Sequence, residues 1–392
     1  VQRMELSNAL DSAISFAACD RLGLGSRESE AAQADIQPRS VSAEALRAAV
    51  EDDAARNFYE ARGWQAAWDD RSEAALLEAV EQVETHGLRK TLFVKGALPS
   101  EPAEREAALT KLALAYASAL ADGYVDPTKL REIYTVARPK TDVAAGLTQA
   151  LAAGKVGVWL GSLVPQTDEY RALSKAFVHY LRRGPAEHRS NKGTNLIKQG
   201  DRDPRLPRVI DALATNGYLD PAQLQQADRA TYGPAVVQAV QRLQQDYGID
   251  PDGVIGPDTL KALNTGAADR ARQLAVNLER LRWLDRSPPA TRIDVNTAAA
   301  FLSYWRDGQM RDRRRVVVGQ PDWETPQLGS PIYQLVANPT WTVPKSIEED
   351  ELANKGAAYF RENNMVRRDG FIVQLPGPEN SLGLVKFDMK ND

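Results

Sequence analysis

One thiol and three imidazoles are all that this 392-residue sequence offers as a soft nucleophile and neutral-pH bases: Cys19, His86, His179 and His188. A thiol of ordinary pKa, ~8.5, becomes an effective acyl-transfer nucleophile at neutral pH when an imidazole stands beside it. No histidine lies near Cys19 in the sequence, and each histidine stands alone. Without Ser/Asp company or metal-ligand spacing, each reads as structural or surface. No residue is therefore assigned as catalytic or metal-binding, and no cofactor is expected. The second candidate is Trp341, inside Asn338-Pro339-Thr340-Trp341-Thr342-Val343-Pro344. Neither proline can donate to a ladder, so a strand entering this run must end or bulge. That leaves Trp341 where the chain exits a sheet, with two roles open to its indole: packing against a peptide or sugar ligand, or supporting a core or lid. The third candidate is basic: Arg311, Arg313, Arg314 and Arg315. No aromatic platform lies beside them in the sequence, so they read as a solvated strand edge rather than a nucleic-acid patch.

Composition sets the bounds. A net charge of −4 gives no reason to expect nucleic acid as a partner. No run of about 18 apolar residues occurs, so no membrane span is expected. One cysteine excludes an internal disulfide and leaves the compartment open. The first twenty residues make a poor export signal, because Asp11 and two serines interrupt the apolar core. Ala17-Ala18-Cys19 resembles a lipoprotein cleavage site, but residues 1–42 are better read as a linker or a mis-set start.

The elements come in three blocks. From 43 to 190 the pattern is helical, beginning behind an N-cap at Ser42. Gly63 should end the helix that carries Phe58 and Tyr59, with Trp64 and Trp68 on a short extended piece behind it. A polar Gly/Pro stretch, 186–205, marks a boundary. A compact module follows over 198–266: helices near 209–216, 235–247 and 259–264, with the turn Asp250-Pro251-Asp252-Gly253 between the last two. An amphipathic helix over 269–284 then leads into the only long stretch that reads as sheet. Its strands fall at 292–296, 300–305, 310–318 and 331–338, with Asp307-Gly308 as a hairpin turn. Residues 348–370 read as an inserted helix and loop.

Two runs of residues carry resemblances to known families. Val240-Gln241-Arg242-Leu243-Gln244, Tyr247-Gly248-Ile249, Pro251 to Pro257 and Ala262-Leu263-Asn264 closely resemble the three-helix peptidoglycan-binding module. That resemblance implies a wall ligand; such modules also serve as spacers. Ile293-Asp294-Val295-Asn296, Val316-Val317-Val318-Gly319, Asn338 to Ile347 and Pro376-Gly377-Pro378-Glu379-Asn380-Ser381-Leu382-Gly383 before Val385-Lys386-Phe387 resemble the start of a YkuD-type L,D-transpeptidase catalytic domain. The order of parts is similar to the large scaffold-bearing, YcbB-like subgroup. The fold implied is multidomain α+β: a helical scaffold domain, the three-helix module, and a mostly-β transpeptidase domain over 269–392 with a lid-like insertion at 348–370.

The function this resemblance implies is cysteine acyl transfer forming 3→3 cross-links between peptidoglycan stems. Its implied partners are stem peptides, glycan and other wall-synthesis proteins, and its implied place is the periplasm or cell envelope. In the family a His follows the Lys-Phe strand, and a Ser-x-Gly-Cys with a following Arg lies about 20 residues further on. Neither occurs before Asp392. The expectation is thus a C-terminally truncated copy, inactive as given, whose catalytic groups belong beyond Asp392 and whose sheet has unpaired edges. Trp341 is the one residue expected to touch substrate. A non-catalytic peptidoglycan-binding or interaction protein is the alternative.

Overall fold

The structure, a computed structural model, describes residues 39–130, 132–183, 195–220, 222, 225, 228–320 and 323–390. Cys19, His188, most of the expected linker at 1–42 and part of the expected boundary at 186–205 lie outside the described residues. The chain divides into two compact units, residues 1–126 with 138–318, and residues 127–137 with 319–392.

The first unit begins with helices α1 (Ala43–Ala49), α2 (Asp53–Ala61), α3 (Asp70–Glu81) and α4 (Pro102–Asp122). Short polar residues start each of the first three. Ser42, Asp52 and Asp69 accept from the backbone N–H of Ala45, Ala55 and Ser72, which satisfies donors the helix cannot pair internally. α4 is buried along much of its length and forms the spine of the core, with Phe58, Tyr59, Trp68, Leu76 and Val80 packed around it. Helices α5 (Val143–Ala152), α6 (Val156–Ser162) and α7 (Asp168–Arg183) complete this block. Trp64 departs from the expected extended piece. Both Gly63 and Trp64 are left-handed, at φ 62° and 61°, and the Trp64 N–H closes back on the Tyr59 carbonyl at 2.8 Å. The indole stacks on the Tyr59 ring, and Arg47 sits over its face. Packing thus offsets a backbone state that costs most non-glycine residues about 1 kcal/mol.

The module that follows has α8 (Leu206–Thr215), α9 (Pro234–Asp246) and α10 (Pro257–Leu263), with Val209, Ile210, Val240, Leu243 and Leu263 in its core. Proline opens all three helices at a position where its missing N–H is no loss. One buried side chain holds the turn before α10. Gln244 accepts from the Gly253 N–H at 2.9 Å and donates to the Val254 carbonyl at 3.0 Å.

α11 (Ala267–Trp283) carries the expected apolar stripe. It lays Ala271 and Leu278 on Tyr170 and Phe177 of α7. Gly87 lets the scaffold turn come close: a Cβ there would stand 2.9 Å from the Ala275 backbone, and its φ is +71°. β1 (Arg292–Asn296), β2 (Phe301–Arg306) and β3 (Gln309–Arg315) form an antiparallel sheet in that order. Asp307 and Gly308, at φ 54° and 74°, make the tight turn their sequence announces.

The arginine-rich strand needs a correction. An aromatic does stand beside it, across the hairpin rather than along the chain: the Arg313 guanidinium lies 4.2 Å from the centre of the Phe301 ring. Arg314 pairs with Asp312 at 2.8 Å.

The second unit holds β4 (Ile332–Ala337) paired with β8 (Val385–Met389), and a separate sheet of β5 (Trp341–Thr342), β7 (Phe371–Gln374) and β6 (Met365–Arg368) in that order. Residues 127–137 belong to this unit through a parallel bridge between Tyr134 and Gln327. The 348–370 segment is more than helix and loop. It runs through a single π-helical turn (Glu348–Leu352) and α12 (Ala357–Glu362), and its last residues are β6. Asp369-Gly370 is again a turn with both φ positive, 51° and 80°, which turns β6 back into β7. The reading of this segment as helix and loop missed that second Asp-Gly signal.

Candidate functional site

The site is built on the run 338–344. Asn338 takes a left-handed φ of 48°, which asparagine tolerates well, and its N–H donates to the Leu384 carbonyl at 2.8 Å. The chain then turns out of β4 and begins β5, where Trp341 pairs with Gln374 and Thr342 with Val373. Pro339 and Pro344 bound the two-residue strand, as their missing donors require.

Two buried amides hold this corner together. Asn380 donates to the carbonyls of Pro339 at 3.1 Å and Leu375 at 3.0 Å, and accepts from the Leu382 N–H at 2.8 Å. Gln374 donates to the carbonyls of Asn363 at 3.1 Å and Glu379 at 2.9 Å, and accepts from the Ser381 N–H at 2.9 Å. Both side chains are buried, so each bond satisfies a group that water cannot reach. The signal for them was present in the Pro376–Gly383 run, but as a loop signature; that Asn380 reaches back 41 residues to Pro339 is not encoded locally.

Trp341 is half-buried. It packs with Ile347, Tyr359 and Phe360 against a small core of Val343, Leu352, Met365 and Ile372. The expected insertion is therefore joined to the strand that bears Trp341 through shared apolar contacts. Its acidic turn is fastened as well. Glu348 accepts from Lys345 at 2.7 Å and from Arg367 at 2.9 Å, and the lysine beside it, with Arg367, holds its carboxyl below the usual range. Lys345 also donates to the Gly370 carbonyl at 2.8 Å.

The other described sequence candidates belong to the first unit. His86 lies in the scaffold with Nδ1 3.3 Å from the Tyr170 hydroxyl, and burial, with the Arg282 charge nearby, lowers its pKa to about 4. His179 lies on α7, in the scaffold as well. No group of three metal-ligating side chains occurs among the described residues. No helix there is long and apolar enough to cross a membrane. Residues 189–392 contain no cysteine or histidine; the corner presents aromatic, amide and charged groups.

Comparison with known families finds a match in each of three regions. Residues 290–392 match the family described as L,D-transpeptidase catalytic domain. Residues 53–177 match a scaffold domain, and residues 207–263 match a family described as "Putative peptidoglycan binding domain". A "Putative L,D-transpeptidase" of Haemophilus influenzae is 33% identical over 96 residues, 24% of this chain and 19% of that protein. The chain thus aligns with about a fifth of that relative's length. The multidomain α+β organisation is borne out: the peptidoglycan-binding region is helical and the L,D-transpeptidase region rich in antiparallel strands.

Proposed function

We propose that the chain serves 3→3 cross-linking of peptidoglycan in the cell envelope, on the periplasmic side of the membrane. The observation that carries this is the order of the three matched regions along one chain: scaffold, peptidoglycan-binding, L,D-transpeptidase catalytic domain. On this reading residues 43–190 are the scaffold domain, 198–266 the wall-binding module, and 269–392 transpeptidase domain with 348–370 as lid. Trp341 presents its partly exposed indole to the stem peptide, and the apolar contacts under it couple that residue to the lid.

The reaction is acyl transfer. A thiolate attacks the amide carbonyl between a diamino acid and a terminal D-Ala of one stem. The C–N bond breaks, D-Ala leaves as the protonated amine, and a thioester remains. The amine of a second stem attacks that thioester, forms the new amide and returns the thiol. Residues 290–392 supply binding and cover but neither thiolate nor imidazole base, so the 392-residue polypeptide holds a stem without acylating on it.

A chimera tests this reading: the His and Ser-x-Gly-Cys segment of an active L,D-transpeptidase joined after Asp392. D-Ala release from a tetrapeptide donor, with 3→3 dimers, is the expected result. A folded chimera that binds tetrapeptide and releases no D-Ala favours the second reading, a non-catalytic wall-binding protein. The match of residues 207–263 to a peptidoglycan-binding family is the observation in favour of that reading.

A further inference from the structure

The corner where the peptidoglycan-binding region hands over to α11 contains an open groove of about 520 Å³. Two helical stripes face each other across it. Lys261 and Asn264 come from α10 and the residue after it, with Leu260 as the apolar floor; Asp269, Arg272 and Gln273 come from one face of α11. The spacings, three residues on one helix and three and four on the other, put each set on a single face. Only the α10 wall falls inside the matched region 207–263, so the second wall is contributed by the helix that follows it.

Its charges are arranged for a ligand of mixed sign. Lys261 has no ion-pair partner among the described residues. Arg272 gives one N–H to Asp269 at 3.1 Å and remains three-quarters exposed, so its other donors face solvent. Two cations and one carboxylate line one concave surface together with two side-chain amides. Wall glycan whose lactyl groups are amide-linked to stems is uncharged and offers a lysine and an arginine no carboxylate. Stem peptides carry free carboxylates and, at the diamino acid, an ammonium group. Guanidinium and ammonium donors bind carboxylate strongly, and amide side chains suit a peptide backbone.

The geometry points to this groove as a stem-peptide site: Lys261 and Arg272 take stem carboxylates, and Asp269 takes the diamino-acid ammonium. The inference rests on the wall-binding reading of residues 207–263 and adds the ligand class and the side chains. It also makes α11 part of the binding surface.

Co-sedimentation of the full 392-residue chain with purified intact sacculi tests it, with soluble tetrapeptide or an uncharged N-acetylglucosamine oligomer added as competitor. The wild type is expected to sediment with sacculi and to be released by tetrapeptide. The K261E/R272E variant, and the wild type in excess tetrapeptide, should bind sacculi about tenfold or more weakly. Both side chains are exposed, so the variant keeps its fold, and far-UV circular dichroism checks this. The neutral variant K261Q/R272Q should also lose affinity. If K261E/R272E binds sacculi like the wild type, the groove assignment is overturned while wall binding stands. Release of the wild type by the N-acetylglucosamine oligomer and not by tetrapeptide overturns the stem as ligand. A wild type that does not sediment with sacculi overturns the wall-binding reading itself.

Discussion

Arg282 donates to the backbone carbonyl of His86 across 2.8 Å, although 196 residues separate them. The same nitrogen reaches the Tyr170 hydroxyl at 2.9 Å, and the guanidinium pairs with Glu279 one turn away at 2.5 Å. The Arg282 side chain is fully buried. Helix α11, which leads from the α8–α10 module toward the strands, is thus fastened to α7 and the His86 turn by a charged group with no access to water.

Replacing Arg282 by methionine keeps most of its volume, takes the donor from the His86 carbonyl and removes the cation beside Glu279, whose Oε1 still accepts from Val125 and Trp283. Breaking a buried pair from one side costs about 3 kcal/mol. R282M should lose hydrogen-exchange protection in both α7 and α11, and the two helices should lose it together. Unchanged protection in either helix would show that apolar packing alone holds them.

His86 gives this junction a pH dependence. Burial, followed by the Arg282 charge, lowers its pKa from 6.5 to about 4. The unfolded chain therefore takes up a proton in a range where the folded chain does not. The associated stability is present above pH 6.5 and is lost as pH falls from 6.5 toward 4, by on the order of 3 kcal/mol at most. Thermal melts across that window should show the loss, and H86Q should flatten it. Parallel profiles for H86Q and the wild type would assign the acid sensitivity to other groups.

Asn380 should matter to the Trp341 corner out of proportion to its size. N380A removes its donor contacts to Pro339 and Leu375 and its acceptor contact from Leu382, leaving buried carbonyls without partners. A cost of about 2 kcal/mol follows. Amide exchange in 338–343 and 374–382 should quicken while the scaffold helices stay protected. A uniform change across the chain would contradict a local role.

For Trp341 the useful variant is phenylalanine, which keeps a ring on the small core of Val343, Leu352 and Ile372. W341F should retain exchange protection in β5 and β7 and bind tetrapeptide roughly tenfold more weakly, as loss of an indole contact implies. Retained protection with unchanged affinity would leave Trp341 with a supporting role only.

Much of this was legible in the sequence because it is locally written. Ser42 as an N-cap, the proline starts of α9 and α10 and the Asp307-Gly308 turn each act through neighbours within a few residues. The missed features act at long range. Phe301 reaches Arg313 only once β2 and β3 pair, Asn380 reaches Pro339 across the insertion, and Tyr134 bridges to Gln327. Trp64 was misread for a different reason: its left-handed backbone is set by packing on Tyr59 and Arg47, which overrides the ordinary preference of a tryptophan. The groove at Lys261 and Arg272 was invisible because its walls come from two blocks that sequence reading treats as separate domains.

Native mass spectrometry of the 392-residue chain with a disaccharide-tetrapeptide tests the central claim most directly. Predicted is a complex with the mass of protein plus intact tetrapeptide, which falls apart on activation and leaves no adduct after denaturation. A denaturation-resistant species at protein plus ligand less D-Ala would contradict the proposal that this polypeptide holds a stem without acylating on it, and no complex at all would contradict stem binding.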